Sequence, residues 1–264
     1  MKAYKISNKG KMRKNNEDNF LFEPNGCGLG FENLFAVCDG VGGNNAGEIA
    51  SKIASKTLKN ESKKSDIFSL FAVDDFKGVF QELYRRANEE INFKAHEKTK
   101  YSKMCTTMVT CSIKNDKAYI ANVGDSRIYL ITEKLCEDSI QRTIDSITND
   151  NVSEIEFEDL PKPGQDPNEK PRRYTRRVLT KAVGYQPNIQ SDYYEVDLKS
   201  KIENGKKVSL LMCSDGLYDM VGKQDILDIV TNAKLKGNAK LKELVKKAND
   251  NGGRDNITAI LIEL

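Results

Sequence analysis

The sequence of 264 residues predicts an α+β fold, a four-layer α-β-β-α sandwich in which two antiparallel sheets pack face to face between pairs of helices. Alternating and short apolar runs predict strands over much of the chain. Two long segments instead repeat their apolar residues at helical spacing, and two shorter helices are predicted nearer the carboxyl end. Because helix pairs interrupt series of strands, sheets stacked between helices accommodate both kinds of element.

These elements can be placed approximately along the chain. Apolar runs predict strands at residues 2–7, 19–23, 33–38, 106–113, 117–123, 127–132, 192–198, 207–213 and 257–263. Apolar stripes predict helices over 46–58 and 76–91, and shorter helices fit 223–232 and 239–249. The single histidine, His96, falls opposite the stripe of the second helix, so we expect it on the solvated face and not in a catalytic site.

The segment 145–190 differs in composition from the rest of the chain. It holds an acidic run and then a basic, proline-rich run, with four of the six prolines between Pro161 and Pro171. The segment is too long for an ordinary connection. We expect a flap-like surface excursion, with room for short helices, within a single domain that spans residues 1–264. A tolerated insertion without a function explains the composition equally well.

Composition and charge exclude several classes of protein. With 38% hydrophobic and 31% charged residues, the chain is too apolar for wholesale disorder and is not collagen-like. Lys and Arg number 42 against 39 Asp and Glu, a balance that argues against a nucleic-acid binder. A polar amino terminus and the lack of about 18 consecutive apolar residues argue against a signal peptide or membrane span. We expect a cytoplasmic monomer whose six cysteines, none in C-x-x-C spacing, are reduced and structural.

Acidic residues recur where apolar runs end. Asp39, Asp125 and Asp215 follow such runs, Asp255 precedes the last predicted strand, and the pair Glu17-Asp18 precedes another. A single Asp-Gly pair indicates only a turn. Five such positions on different strands indicate more, because an apolar strand end is a costly place for a carboxylate unless it is paired or binds a cation.

The type of ligand favours hard cations. Convergent carboxylates without His or Cys suit Mg²⁺ or Mn²⁺ and not Zn²⁺. There are more carboxylates than one ion uses, so we expect two ions with an activated water between them, which could hydrolyse a phosphate ester. The glycine after Asp39 would let the Gly40 carbonyl approach an ion closely. Arg13, four residues before Glu17, is a candidate phosphate clamp, although such an arginine alone is more commonly a solvated charge.

Six short motifs occur in order between Arg13 and Thr258: RKNNED, VCDGVGG, CTTMVT, NVGDSRIYL, CSDGLYD and GGRDNIT. Each motif is weak alone, but the ordered set resembles the metal-dependent type 2C serine/threonine protein phosphatases, in particular their compact bacterial members. The resemblance spans essentially the whole chain. It implies two antiparallel sheets flanked by helix pairs, a metal cleft at one end, and a variable flap at 145–190.

The resemblance also implies how two tightly bound ions would be held. Asp39 would bridge both ions. Asp215 and Asp255 match the other ligands of the first ion. Glu17 and the Gly40 carbonyl match ligands of the second ion.

Further roles are implied for the other residues of the motifs. Asp125 matches the ligand of a third, weaker ion, with Asp219 as its helper. Asp18 matches an acidic partner that acts mainly through metal-bound water. Arg13 matches the phosphate-binding arginine, and Asn256 is expected to orient the loop that carries the preceding aspartate.

The chain departs from the family pattern at three places. Many members place a histidine, a candidate general acid, just after the first Asp-Gly, where this chain has Val41, Asn44 and Asn45. The usual small residue before the paired threonines is Cys105, and the family's acidic–histidine pair before the flap is Asp150-Asn151. None of these changes removes an expected metal ligand, so an active enzyme is the leading hypothesis.

The leading function is hydrolysis of phosphoserine and phosphothreonine on proteins by water activated between two Mn²⁺ or Mg²⁺ ions. By resemblance, the partners would be phosphorylated proteins, including a serine/threonine kinase and its substrates, and no nucleic acid or membrane. Two alternatives stay open: a phosphoprotein-binding regulatory module on the same fold, suggested by the missing histidine, and a hydrolase of small phosphate metabolites. Retention of every expected ligand favours the enzyme, because buried carboxylates without compensation are unfavourable.

Overall fold

The computed structural model describes residues 1–27, 30–41, 46–64, 67, 69–71, 74–136, 139–158, 173–202 and 206–264. Strands β1 to β13 span Lys2–Asn8, Asp18–Glu23, Leu34–Val41, Cys105–Thr106, Met108–Lys114, Lys117–Val123, Arg127–Leu135, Ile140–Ser146, Val152–Glu158, Arg173–Leu179, Asp192–Asp197, Lys206–Cys213 and Ile257–Glu263. Helices α1 to α6 span Gly47–Glu61, Phe76–Glu97, Lys199–Ile202, Asp215–Tyr218, Lys223–Val230 and Gly237–Asp250.

The strands form two large antiparallel sheets. One sheet has the order β1-β13-β12-β7-β8, and the other has the order β11-β6-β5-β3-β2 with β4 beside β3. Strands β9 and β10 pair with each other in a separate two-stranded sheet. Strand β3 also contacts β12 and β13 of the other large sheet.

Three buried apolar clusters show how the layers stack. Phe35 and Val37 of β3 belong to a cluster between the two sheets, together with residues of β5, β7, β12 and β13. Leu34 and Ala36, which alternate with them, belong to a cluster that includes the apolar faces of α1 and α2. A third cluster joins the other sheet to α5 and α6. Both faces of the central strands are buried, and the predicted α-β-β-α sandwich is confirmed.

The predicted strand 106–113 is interrupted at Thr107. This residue lies between β4 and β5, and its backbone N–H donates to the Asp39 carbonyl at 2.8 Å. Its hydroxyl accepts from the Asp39 N–H at 3.0 Å. The interruption therefore lets one threonine hold the end of β3, where Asp39 lies.

The expectation of short helices in 145–190 is wrong for the described residues of that segment. Strands β9 and β10 form an antiparallel hairpin, with Val152 opposite Leu179 and Glu158 opposite Arg173. Within this strand the run EIEFE alternates polar and apolar residues, which is the period of a strand, and its high charge obscured that pattern. Residues 159–172, which hold the four prolines, lie outside the described residues.

The structure also bears on the predictions for the single histidine, the six cysteines and membrane-spanning helices. His96 is exposed near the end of α2, with its Nδ1 atom 2.6 Å from the Asn92 carbonyl oxygen, in keeping with its expected place outside the site. All six cysteines are free thiols. Among the described helices, none is both long and apolar enough to cross a membrane.

Candidate active site and metal centre

An open cleft of about 850 Å³ lies where the ends of β3, β6 and β12 and the start of β13 meet. It is lined by most of the predicted site residues, namely Arg13, Glu17, Asp39, Gly40, Asp125, Asp215 and Asp255. Asp18 is buried beside Asp39, with 7% exposure. Asp219 is exposed, and its Oδ1 atom lies 3.9 Å from Nη1 of Arg177, another residue of the cleft wall. The fold therefore brings together carboxylates that are far apart in the sequence.

Asp39 lies near the end of β3, directly opposite Asp18 in the antiparallel register with β2. Next to it, the Gly40 N–H donates to the Glu17 carbonyl at 3.2 Å. A Cβ atom on Gly40 would lie 2.2 Å from the Gly47 carbonyl oxygen and 2.6 Å from that of Glu17. Only glycine fits at this position, because the start of α1 and the segment before β2 both pack against its backbone.

Asp215 follows β12 and begins the short helix α4. The preceding residue, Ser214, is fully buried, and its hydroxyl donates to Oδ2 of Asp18 at 2.8 Å. A Cβ atom on Gly216 would lie only 2.0 Å from the Asn256 carbonyl oxygen. This close approach places Asp215 against the segment that precedes β13, which supplies another carboxylate of the cleft.

Arg13 forms an ion pair inside the cleft. Its Nη2 atom donates to Oδ2 of Asp255 at 2.6 Å, and the arginine side chain is 53% exposed. The hydrogen bond that Arg13 donates to Asp255 raises the pKa of Arg13 above its ordinary value, so the guanidinium is always charged. To bind a phosphate, this guanidinium must share or leave Asp255.

Asn256 orients a different segment from the one expected. It was predicted to orient the loop of the preceding aspartate, and its backbone N–H does donate to Oδ1 of Asp255 at 2.8 Å. Its buried side chain instead holds the amino-terminal segment. The amide donates to the carbonyls of Lys9 (2.8 Å) and Asn15 (2.9 Å), and its Oδ1 accepts from the Glu17 N–H (2.7 Å). One side chain therefore positions the segment that carries both Arg13 and Glu17.

Burial raises the pKa of several carboxyl groups at the site. The pKa of Asp18 is raised to about 6 and that of Asp215 to about 7, against an ordinary value near 3.8. For Asp39, burial and then the negative charges of the neighbouring aspartates hold the pKa well above its usual range. Burial also raises the pKa of Glu17 and of Asp125. The cluster therefore takes up protons or cations more readily than isolated carboxylates would.

Two buried carboxylate oxygens fit a bound cation. Oδ1 of Asp18 and Oδ1 of Asp215 have no hydrogen-bond partner among the described residues. Leaving such an atom unsatisfied is costly, and divalent cations would satisfy these oxygens directly or through ordered water. Within the described part of the chain, no three His, Cys, Asp or Glu side chains already form a group that could hold an ion. The residues fit Mg²⁺ or Mn²⁺ in chemistry, and the individual ligand assignments stay predictions.

A second network fixes the turn that carries Asp125. The Tyr218 hydroxyl donates to the Asp125 carbonyl at 2.9 Å, and the Arg127 guanidinium lies 3.6 Å from the centre of the Tyr218 ring. Arg127 also forms a bidentate pair with Asp150, at 2.8 and 2.6 Å. The turn is therefore held through backbone and aromatic contacts that leave the Asp125 carboxylate facing the cleft.

The unusual pair Asp150-Asn151 has a structural role next to this turn. The Asn151 side chain accepts from the Gly124 N–H at 2.9 Å and donates to Oδ2 of Asp192 at 2.7 Å. Asp150 accepts hydrogen bonds from both Arg127 and Arg177. Asp150 and Asn151 therefore connect the β6–β7 turn with the β9–β10 hairpin.

Two residues at the other departures, Cys105 and Val41, line the cleft. Cys105 lines the cleft but is buried, and burial raises the pKa of its thiol to about 11, so it is neutral near pH 7. Val41 also lines the cleft and is 39% exposed. Asn44 and Asn45 lie outside the described residues.

Several residues that act on the site were not predicted from the sequence. Ser214, Arg127 and Arg177 each contact an acidic site residue or its anchor, yet none stands out in a motif for that reason. Lys103 and Arg176 add positive charge to the cleft wall. The run YTRRVL holds a signal that could have been used, because Tyr, Thr and Val are residue types enriched in strands.

The fold and the acidic cleft define a class of protein that comparison with known families identifies. The family model described as Protein phosphatase 2C matches residues 2–142. More than half of the chain is covered, so the chain belongs to the protein phosphatase 2C family. The predicted class, a protein-serine/threonine phosphatase, is confirmed by this match and by relatives of that name.

Two bacterial relatives match nearly the whole chain. Protein phosphatase PhpP of Streptococcus pneumoniae is 31% identical over 261 residues, which cover 98% of this chain and 96% of that protein. Serine/threonine phosphatase stp of Listeria innocua is 29% identical over 263 residues, which cover 97% and 93%. Among solved structures, the serine/threonine phosphatase Stp1 from Staphylococcus aureus is similar, with a TM-score of 0.73, 25% identity, and coverage of 99% of this chain and 94% of that one.

Proposed function

We propose that the cleft hydrolyses phosphoserine and phosphothreonine on proteins with the help of Mn²⁺ or Mg²⁺. The observation that carries this proposal is the pair of buried, unpartnered oxygens of Asp18 and Asp215 beside a cleft lined by further carboxylates. Repulsion among these carboxylates favours binding of a divalent cation, and carboxylate oxygens suit a hard cation such as Mg²⁺ or Mn²⁺. Residues 1–264 would act as a single catalytic domain.

Each acidic residue has a place in this scheme. Asp39 would bridge two ions, with Asp215 and Asp255 completing one. Glu17 and the Gly40 carbonyl would complete the other. When bound, the two cations supply charge neutralisation and activation of the water nucleophile. Asp125 and Asp219 would hold a third, weaker ion at the side of the cleft, and Asp18 would support the pair through ordered water.

The residues of the chain itself orient the reactants. The Ser214 hydroxyl fixes Asp18 by a hydrogen bond, and the pairing of β2 with β3 places Asp39 directly opposite Asp18. Arg13 would bind the phosphoryl oxygens, since a guanidinium matches them in bidentate fashion. Its present partner, Asp255, would then turn to a cation. In this exchange Arg13 pairs with the phosphate and Asp255 pairs with a cation, so neither charge is left without an opposite charge.

The described residues provide no histidine in the cleft to protonate the leaving alcohol, because His96 lies elsewhere. Carboxyl groups with raised pKa values supply another proton store. Asp215, whose pKa is about 7, could hold a proton near neutral pH in the metal-free protein. In the metal-loaded enzyme we expect ordered water to protonate the leaving alcohol. The rate of hydrolysis should then fall more steeply with poorer leaving groups than it does in an enzyme with a histidine acid.

The class implies phosphorylated proteins as substrates. We propose that these include a serine/threonine kinase and its targets, and that the chain acts in the cytoplasm as a monomer. The nearly balanced charge of 42 Lys and Arg against 39 Asp and Glu supports a protein substrate over nucleic acid.

Turnover of a phosphothreonine peptide and of p-nitrophenyl phosphate, with Mn²⁺ and with a chelator, tests the proposal. Hydrolysis of both that is lost with chelator and restored by Mn²⁺ supports it. Peptide binding without turnover under any metal would instead indicate a regulatory module. Turnover of small phosphate esters without peptide turnover would indicate a hydrolase of metabolites.

A further inference from the structure

Strand β10 meets the cleft in an unusual way. Four consecutive residues of this strand, Arg176 to Leu179, all line the cleft. Successive side chains of a strand point to opposite faces, so one face alone would contribute only alternate residues. The strand therefore presents its hydrogen-bonding edge to the cleft, over about 13 Å for four residues.

This edge is not covered by another described strand. In the described part of the chain, β10 pairs only with β9, in register from Arg173 opposite Glu158 to Leu179 opposite Val152. In an antiparallel pair, every second residue directs both its N–H and its C=O away from the partner. The outer edge of β10 thus offers backbone donors and acceptors at every second residue, the arrangement to which an added strand binds.

The edge is continuous with the acidic centre. The Arg177 side chain hydrogen-bonds to Asp150 and approaches Asp219, whose Oδ1 atom is 3.9 Å from its Nη1 atom. The Thr180 N–H donates to the Asn151 carbonyl at 2.8 Å, which fixes the end of β10 beside the turn of Asp125. A chain paired with β10 would consequently run alongside the carboxylates.

The side chains around this edge are basic and aromatic. The Arg176 guanidinium lies 5.0 Å from the Tyr174 ring centre and 5.6 Å from that of Phe157, and these two rings stack on each other. Both rings are partly exposed, at 37% and 36%. Lys103 lines the same cleft. A ligand segment with acidic side chains would complement the charges of this wall.

We propose that the outer edge of β10 binds the substrate backbone, so that an extended phosphoserine or phosphothreonine segment pairs with it as a third strand. Acidic residues flanking the phosphorylated residue would contact Arg176 and Lys103. This inference rests on the proposed phosphatase function and assigns its recognition surface. Because main-chain pairing is independent of side-chain identity, the enzyme would accept many sequences but require an unfolded, extended segment.

A backbone N-methyl scan of one acidic phosphothreonine peptide tests the pairing with the wild-type enzyme and Mn²⁺. N-methylation removes one donor at a time, and a hydrogen bond contributes about 1 kcal/mol, or about fivefold in KM. We expect KM to rise at every second position on one side of the phosphothreonine and to stay unchanged at the positions between. Equal effects at all positions, or none at any, would overturn strand pairing.

A second arm tests the charged wall. Arg176→Ala should raise KM for a peptide with flanking glutamates by about tenfold, since hydrogen bonds to charged groups contribute about 1.5–3 kcal/mol. The same variant should leave KM for a peptide with neutral flanks within about twofold. Lys234→Ala, an exposed charge that does not line the cleft, is the matched control. Equal losses for both peptides would overturn the acidic preference.

Failure of the proposed phosphatase function can be distinguished from failure of the β10 proposal by the turnover of p-nitrophenyl phosphate. p-Nitrophenyl phosphate has no peptide backbone, so its turnover reports the metal centre without the β10 edge. If neither this ester nor the unmethylated peptide is hydrolysed with Mn²⁺, the proposed function fails. If both are hydrolysed and the scan shows no period of two, only the proposal for β10 fails.

Discussion

Asp18 and Asp39 occupy directly opposite positions on the antiparallel strands β2 and β3. Like charges at such a cross-strand position destabilise a sheet. One oxygen of Asp18 accepts from Ser214, while the other is buried with no hydrogen-bond partner among the described residues. The sheet therefore tolerates this pair by protonation or by a shared cation, and this requirement links the stability of the fold to the site.

Asp39→Asn should abolish turnover and stabilise the metal-free protein. The amide weakens binding of the cations that Asp39 would bridge. It also needs neither a proton nor a cation to be tolerated opposite Asp18, a gain on the order of 1 kcal/mol for the metal-free protein. For a chain of this size that gain corresponds to a rise in Tm of about 2–4 °C in the presence of a chelator. Activity assays at saturating Mn²⁺ and thermal unfolding measure the two effects.

Asp228→Asn, which changes an exposed aspartate on α5, is the control for the loss of charge alone. It should leave both activity and Tm unchanged. Near-normal turnover of Asp39→Asn at saturating Mn²⁺ would contradict the bridging role.

The metal-free protein should lose stability as the pH rises from about 4 to about 7. The folded-state pKa values of Asp18 (about 6) and Asp215 (about 7) lie above their ordinary value near 3.8. In this window the folded protein binds more protons than the unfolded chain, so stability falls by up to about 1.4 kcal/mol per pH unit for each group. Urea unfolding in a chelator across this range measures the slope.

Saturating Mn²⁺ should reverse this trend. Metal ligands must be deprotonated, so the stabilisation by bound ions grows as the pH rises through the same window. A metal-free protein whose stability increases from pH 4 to 7 would mean that these aspartates titrate normally.

The fold could be predicted where apolar residues face a core. The first part of strand β3 is a continuous apolar run because Phe35 and Leu34 face different clusters, and the predicted strand 33–38 covers this part but not residues 39–41. Strand β8 was not, since almost all of its residues are exposed and its pattern carries no buried face. The second half of strand β9 alternates, but Ile155 and Phe157 are 42% and 36% exposed, so its apolar side does not mark a core.

The site could be predicted only in part for a similar reason. Carboxylates at strand ends are visible in the sequence because their surroundings are apolar, and Asp39 and Asp215 were found in that way. The contacts that fix them depend on distant segments: Ser214 reaches Asp18 across 196 positions, and Asn256 reaches Glu17 across 239. Without knowledge of the packing, no local pattern assigns such partners.

Arg13→Ala should raise KM for phosphorylated substrates while metal affinity is retained or slightly increased. A charge-assisted hydrogen bond contributes about 1.5–3 kcal/mol, which corresponds to about a 10- to 100-fold change in KM if it acts equally in the ground and transition states. Loss of the guanidinium also frees Asp255, its partner at 2.6 Å, to bind a cation. Steady-state kinetics and Mn²⁺ titration measure the two effects.

The neighbouring exposed residue Lys14 provides the control. Lys14→Ala removes the same charge from the same segment and should leave KM within about twofold, as for other exposed charges. An unaltered KM in Arg13→Ala would make this arginine a structural partner of Asp255 alone.

Asp125→Ala should lower turnover without loss of the two tightly bound ions. The turn keeps its shape in this variant because the Tyr218 hydroxyl holds the backbone carbonyl of residue 125 and not its side chain. Asp39, Asp215 and Glu17 are untouched. Calorimetric titration with Mn²⁺ should still show two tight sites, and Asp219→Asn should have the same effect on activity. Disappearance of a tight site would place Asp125 in the central pair instead.

Asn256→Ala should weaken stability, metal binding and phosphate binding together. Its side chain accepts from the Glu17 N–H and donates to the carbonyls of Lys9 and Asn15, all within 2.9 Å. Truncation leaves these groups without their partner, at about 1–3 kcal/mol for each that stays buried. Since the same segment carries Arg13, we expect a lower Tm, a higher KM and weaker Mn²⁺ binding.

The comparison of two further variants separates positioning from simple loss of stability. Asn256→Asp keeps an acceptor for the Glu17 N–H but loses both donors, so it should recover part of the Mn²⁺ affinity while KM stays high. Asn249→Ala removes another asparagine, whose side chain forms one hydrogen bond within the described residues, a long one to Asn8 at 3.4 Å. It should change Tm little and leave KM and Mn²⁺ affinity as in the wild type. If Asn256→Ala lowers Tm but changes neither KM nor Mn²⁺ affinity, the amino-terminal segment keeps its place without this side chain, and Asn256 contributes to stability alone.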